Sequence, residues 1–171
     1  EKKRDLRAVK MQYRAFERIG VDVKHLTDIP NYWPQMKRNN LPRYQYTARD
    51  LKTGALFLGF SEDYGVTYSK IFITKLIEHL DKYGISPNEI SIQTDNGPEF
   101  SGNLEHHDHG FVKSIRDLGA SHISLPPNSP NYNSDVETVH HWEEQEFFNL
   151  EEFKDSDDFI KKSMSYQYFW N

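Results

Sequence analysis

Ser91-Ile92-Gln93-Thr94-Asp95-Asn96-Gly97-Pro98-Glu99-Phe100 carries the sharpest structural signal in the chain. A short β-favouring run, Ile90 to Thr94, stops abruptly at Asp-Asn-Gly-Pro, a strong turn signal. This grammar predicts a strand with Asp95 at its carboxyl end, where open α/β sheets present ligand-binding residues. A carboxylate there has two readings. It either binds something, because a buried acid must be paired or metal-bound, or it caps backbone donors in an Asx-type turn.

Working outward on the amino-terminal side, Val66 to Tyr83 has helical spacing, with Tyr68, Ile71, Phe72, Lys75, Leu76, His79 and Leu80 on one side. Gly84 supplies its stop, and His79 is expected to be packed. Tyr44–Leu51 and Ala55–Phe60 read as two strands joined at Lys52-Thr53-Gly54. Ile19 to Leu26 alternates apolar and polar, which predicts another strand with Asp22 inside it. Asp28 competes with Asp22 as an acid of interest, but its place beside Pro30 marks a turn residue. Residues 30–42, rich in Pro, Trp and Asn, are expected to be an irregular connection. Residues 1–18 carry seven Lys/Arg and three acids, with Leu6, Val9, Tyr13 and Phe16 at helical spacing. They predict an amphipathic helix, the tail of a removed upstream region, leading into a core over 19–171.

On the carboxyl-terminal side, a helix is expected near Phe111–Leu118 and a strand over Ser121–Leu125. A loop rich in Pro and Asn follows over residues 126–134. Ser134 or Asn133 then caps a helix with Asp135 and Glu137 in its first turn, where acids complement the helix dipole. On that helix Val136, Val139 and Phe147 fall on one side, and Glu137, His141, Glu144 and Phe148 on the adjacent one. The resulting order, β-β-β-α-β-α-β-α-α, predicts an α/β fold with a five-stranded mixed sheet flanked by helices.

Composition bounds the function. The 171 residues suit one domain with a single core, which leans on aromatics (11 Phe, 10 Tyr, 3 Trp). With no cysteine, thiolate metal sites and disulfides are excluded, and carboxylates and His remain as ligands. No run has the length of a membrane span and no signal-peptide block is present, so a cytoplasmic location is expected. A net charge of −5 argues against a freestanding nucleic-acid binder, though not against a domain that borrows affinity from its neighbours.

Asp22, Asp95 and Glu137 lie in three separate elements. The segments around them, Val21-Asp22-Val23-Lys24, Gln93 to Phe100, and Asn128-Ser129-Pro130-Asn131-Tyr132-Asn133-Ser134-Asp135-Val136-Glu137, resemble the DDE integrase and transposase catalytic cores. These are the retroviral-integrase-like members of the ribonuclease-H-like superfamily. His140 and Glu146-Phe147-Phe148 are similar to the family's H…EEFY continuation, and residues 166–171 to a following helix in bacterial insertion-sequence transposases. The chain departs from the family in a longer spacing between Asp95 and Glu137, which places an insertion at the His-rich residues 103–110. Ser134 replaces a family glycine, and Thr138, His141 and Glu144 stand where the family often has basic residues.

The resemblance implies a ribonuclease-H-like fold and a polynucleotidyl transferase that cleaves and joins DNA ends in transposition or integration. Asp22, Asp95 and Glu137 would converge on one cleft and hold two Mg²⁺ or Mn²⁺ ions, with Asp22 bridging. Hard cations of this kind prefer carboxylate oxygen and water. DNA and further copies of the chain are the implied partners, and no membrane is. Asn128, Asn131 and His141 are candidate DNA contacts, with turn capping the competing role for the two asparagines. Two other readings stay open: a ribonuclease-H-like nuclease that only hydrolyses, and a catalytically silent core used for multimerisation.

Overall fold

In the first strand, β1 (Arg18–His25), alternate side chains face opposite ways, and this alternation builds the two sides of the molecule. Ile19 and Val21 point into an aliphatic core, while Asp22 and Lys24 point to the other face. The computed structural model describes residues 8–95, 97, 100, 110–126 and 134–171. β1 is followed by α1 (Trp33–Asn39), β2 (Tyr44–Asp50), β3 (Leu56–Ser61), α2 (Val66–Lys82), β4 (Ser91–Thr94), α3 (Gly110–Asp117), β5 (Ser121–Ser124), α4 (Ser134–Glu143) and α5 (Ser156–Trp170). The strands form one mixed sheet in the order β3-β2-β1-β4-β5. β1 pairs antiparallel with β2, and β2 with β3; β4 lies parallel to both β1 and β5.

One face is covered by α2 and α3. Ile73, Leu76, Ile77 and Leu80 of α2 and Phe111 and Ile115 of α3 close over Ile19, Val21, Ala48 and Ile92. The buried stripe of α2 is Ser69, Ile73, Leu76, Ile77 and Leu80, rotated from the side expected from its aromatics. Tyr68, Ile71, Phe72 and His79 instead line a cavity of about 520 Å³ beside β3. His79 is therefore exposed rather than packed, its ring set edge-on to Phe57. Aromatic residues on this helix are large enough to cover a sheet edge without entering the core.

On the opposite side a second core gathers Tyr32, Phe147, Phe148, Phe153 and Phe159 with Leu26, Ile29, Met36 and Leu41. Its rings meet edge to face, Tyr32 against Phe148 at 5.2 Å and Phe153 against Phe159 at 5.1 Å, the arrangement favoured by ring quadrupoles. Tyr32 Oη donates to the Pro42 carbonyl, which satisfies its buried hydroxyl. α1 occupies part of the connection expected to be irregular. Pro34 sits in its first turn, where a missing N–H costs nothing, so this proline starts a helix instead of breaking one.

The outer edge of β3 is protected by side chains of α5. Asn171 accepts from Leu56 N at 2.7 Å and donates to Leu56 O at 2.8 Å, while Gln167 Oε1 accepts from Leu58 N. These amides take the place of a further strand on an otherwise open edge.

At the amino terminus the helical part comprises residues 8–12, and residues 1–7 of the expected helix lie outside the described residues. The helix does not run to residue 18. Phe16 adopts a left-handed φ of 63°, its N–H donating to the buried carboxylate of Asp50, and the chain turns there into β1. The loop candidates Asn128 and Asn131, the cap residue Asn133 and residues 103–109 of the insertion also lie outside the described residues.

Phe159 is fully buried against the rings of Tyr32, Phe60 and Phe153, whereas Phe169 is 79% exposed on the same helix. Phe159→Ala is expected to lower unfolding free energy by about 3–5 kcal/mol, and Phe169→Ala to change it by less than about 0.5 kcal/mol. Urea denaturation of both variants checks this pair.

Candidate functional site

The parallel pairing of β1 and β4 registers Gly20 with Gln93. Counting on two residues along both strands, Asp22 comes level with Asp95 at the carboxyl edge of β4. Neighbouring strands stand about 4.8 Å apart, and residues of the same parity share a face. Backbone donors orient both carboxylates. Val23 N–H donates to Asp22 Oδ1 at 2.8 Å, and Gly97 N–H to Asp95 Oδ1 at 2.9 Å. The Asx turn at Asp95 is thus real, and the residue is exposed at the end of β4. Asp28 lies in an exposed 3-10 turn, as its place beside Pro30 suggests.

α4 crosses this face over β1 and β2. Val136 and Val139 seat it, and Asp135 and Glu137 occupy its first turn as expected. Asp135 is held from two sides: Lys10 forms an ion pair with its carboxylate, and Arg49 Nη1 donates to its carbonyl at 2.8 Å. Glu137 is exposed, one turn before His140, so the two are neighbours on the helix surface. His140 in turn approaches Asp22, Nδ1 to Oδ2 at 3.7 Å. Among the described residues, no group of three or more His, Asp or Glu side chains is gathered closely enough to hold a metal ion. Asp22, Asp95 and Glu137 are all described and form no such group.

Beneath α4 runs a buried polar seam that sequence reading missed. Gln45 Nε2 donates to Thr47 Oγ1 at 2.9 Å and to Glu143 Oε2 at 2.6 Å, and Thr47 Oγ1 meets His140 Nε2 at 2.8 Å. Lys24 pairs with Glu144 at 3.0 Å. Burial and the nearby Lys24 charge push the His140 imidazole down to about 3, so it is neutral at ordinary pH. Burial pushes Glu143 up to about 7, against the opposing influence of its Gln45 hydrogen bond and of Lys24. The signal for this seam was the polar residues Gln45 and Thr47 at alternate positions of a strand, legible only once α4 is known to cover that face.

The helix changes pitch after Glu143, and Glu144–Phe148 form a π-helical turn. This corrects the face expected for α4. Phe148 does not share an exposed side with Glu137 and His141 but is fully buried, and Glu144 turns inward to Lys24. The widened turn rotates residues 144–148 relative to a regular helix, letting Phe147 and Phe148 both enter the aromatic core. His141 stays exposed.

No protein-family model and no curated protein matches the chain. Solved structures do. The chain is similar to the simian T-cell lymphotropic virus intasome in complex with PP2A regulatory subunit B56 gamma, with a TM-score of 0.52 and 17% identity, covering 72% of this chain and 37% of that one. It is also similar to the catalytic core domain of BIV integrase, with a TM-score of 0.50 and 15% identity, covering 76% of this chain and 68% of that one. At these identities the likeness concerns the fold, which is that of integrase catalytic cores, ribonuclease-H-like, with the expected five-stranded mixed sheet. Among the described residues no helix is long and apolar enough to cross a membrane.

The seam makes stability depend on pH with a definite sign. An exposed glutamate releases its proton near 4.5, whereas Glu143 in the folded protein holds it to about 7. Between those values the folded state binds more protons, so the contribution of Glu143 to stability falls as pH rises. Glu143→Gln is therefore expected to be more stable than the parent at pH 8, by on the order of 2 kcal/mol, and the advantage shrinks towards pH 4.5. Paired denaturation curves at both pH values check it.

Proposed function

We propose that this chain is a metal-dependent polynucleotidyl transferase of the DDE type, most similar in kind to bacterial insertion-sequence transposases, that cleaves DNA ends and joins them to a target. The observation that carries this reading is the parallel register of β1 with β4, Gly20 against Gln93, which continued by two residues sets Asp22 level with Asp95, in a fold shared with integrase cores. Glu137 is the third acid, contributed by the first turn of the helix that crosses that face.

The donor set fits Mg²⁺ or Mn²⁺, because all three residues offer hard carboxylate oxygens and no thiolate is present. Two such ions, when bound, would activate water or a DNA 3′-hydroxyl and stabilise the departing oxygen. The chain's own part is to hold Asp22 through the Val23 N–H and Asp95 through the Gly97 N–H, so that two of the acids are oriented in advance. Glu137, on an exposed turn, completes the set from the helix.

DNA is the proposed partner, and an integrase core and an intasome among the structural neighbours support it. Further copies of this chain are the second proposed partner. His141, exposed four residues after Glu137, is the proposed DNA contact on α4; Asn128 and Asn131 are proposed contacts from the preceding loop. With a net charge of −5, the isolated chain is expected to bind a short duplex weakly at neutral pH.

The metal reading has a direct check. Mn²⁺ is expected to raise the melting temperature of the parent, since binding only the folded state stabilises it by mass action. Asp95→Asn should lose most of that gain and leave the metal-free protein at least as stable. An unchanged Mn²⁺ response in Asp95→Asn would remove Asp95 from the site. An assay offering both water and a DNA 3′-end separates strand transfer from simple hydrolysis by its products.

A further inference from the structure

We propose that His140 is a positioning residue, clamped by Thr47 so that its Nδ1–H steers the Asp22 carboxylate. The proposal rests on the reading of Asp22 as a metal ligand given above. Thr47 is the cross-strand partner of Asp22 in the β1–β2 ladder, so both side chains leave the sheet on the same face, side by side. His140 descends onto that pair from α4, with Nε2 2.8 Å from Thr47 Oγ1 and Nδ1 3.7 Å from Asp22 Oδ2. One ring nitrogen is thereby committed to the threonine and the other is turned to the acid.

The positioning role requires one tautomer of the imidazole. Gln45 Nε2 is a donor only, and it spends its two hydrogens on Thr47 Oγ1 and Glu143 Oε2. Thr47 Oγ1 accepts from Gln45 and has its own hydrogen to offer His140 Nε2 at 2.8 Å. With that hydrogen on the Thr47–His140 contact, the imidazole hydrogen is on Nδ1, the nitrogen turned to Asp22 Oδ2. Asp22 Oδ1 is held by the Val23 N–H at 2.8 Å, so backbone and imidazole together address both carboxylate oxygens. A carboxylate oriented in this way keeps its geometry before a cation arrives, as hydrogen-bonded supports do for metal ligands generally.

A satisfied core histidine would make the same Thr47 bond without affecting Asp22, and the experiment separates the two. The chain is labelled with ¹⁵N, and the His140 ring is read by long-range ¹H–¹⁵N NMR; the Nδ1–H tautomer is expected. Mn²⁺ affinity is then measured by electron paramagnetic resonance for the parent, Thr47→Val, His140→Leu and Asp22→Asn, each checked for a cooperative melt. Thr47→Val is expected to bind Mn²⁺ about 10-fold more weakly while remaining folded, with His140→Leu at least as weak. Thr47→Val nearly preserves shape and carries the test if His140→Leu does not fold. An Nε2–H tautomer in the parent would overturn the proposal. So would parent-like Mn²⁺ affinity in folded Thr47→Val while Asp22→Asn loses binding. Undiminished Mn²⁺ binding in Asp22→Asn would instead overturn the metal reading itself, and the positioning role with it.

Discussion

The polar seam between α4 and the strands β1 and β2 is the constraint on which the rest of the arrangement depends. A helix seated by apolar residues alone could slide or rotate along the sheet at modest cost. Here the buried Gln45, Thr47, His140 and Glu143 must meet their partners at fixed distances, because a buried polar group left unpaired costs roughly 1–3 kcal/mol, and the part-buried Lys24–Glu144 pair adds a further tie. Glu143, only 1% exposed, has its partner in Gln45 and a compensating charge in Lys24. The seam therefore sets both the rotation and the height of α4, and with them the place of Glu137 in its first turn.

The two ends of α4 are fixed by different means. At the start, Lys10 and Arg49 bind Asp135 through its carboxylate and carbonyl respectively. At the other end the π-helical turn reorients the chain so that Phe147 and Phe148 both enter the aromatic core with Tyr32, Phe153 and Phe159. An uninterrupted α-helix would separate neighbouring residues by about 100°, which makes it hard for both rings to face one core. The aliphatic core under α2 and α3 then fixes the opposite face of the sheet and keeps β4 against β1. The registered acids are thus held by backbone pairing from one side and by a polar seam from the other.

Function follows from this division of labour. Asp22 and Asp95 are placed by the sheet, the most rigid part of the molecule, whereas Glu137 depends on a helix whose seating is electrostatic as well as apolar. Backbone N–H groups of Val23 and Gly97 address the first two acids, and the seam reaches Asp22 through His140.

Much was legible in the sequence because it is local. The stop at Asp95 follows from Thr-Asp-Asn-Gly, β1 from its alternation, and the end of α2 from Gly84. The five strands and their mixed pairing were readable from element order, and Asp22 and Asp95 stood out as acids in places where packing explains them poorly, whereas Glu137, which dipole complementarity alone would explain, was singled out by the family resemblance. What only tertiary structure decided involves partners distant along the chain. The helix α1 needed Tyr32 buried against Phe148 and Phe153 to overrule a proline-rich composition. The π-turn needed an aromatic core to receive two adjacent rings, and the inward Glu144 needed Lys24, 120 residues away. The level of Asp22 with Asp95 and the hand of His140 on Thr47 are matters of strand register and helix height, set by hydrogen bonds that no local pattern encodes.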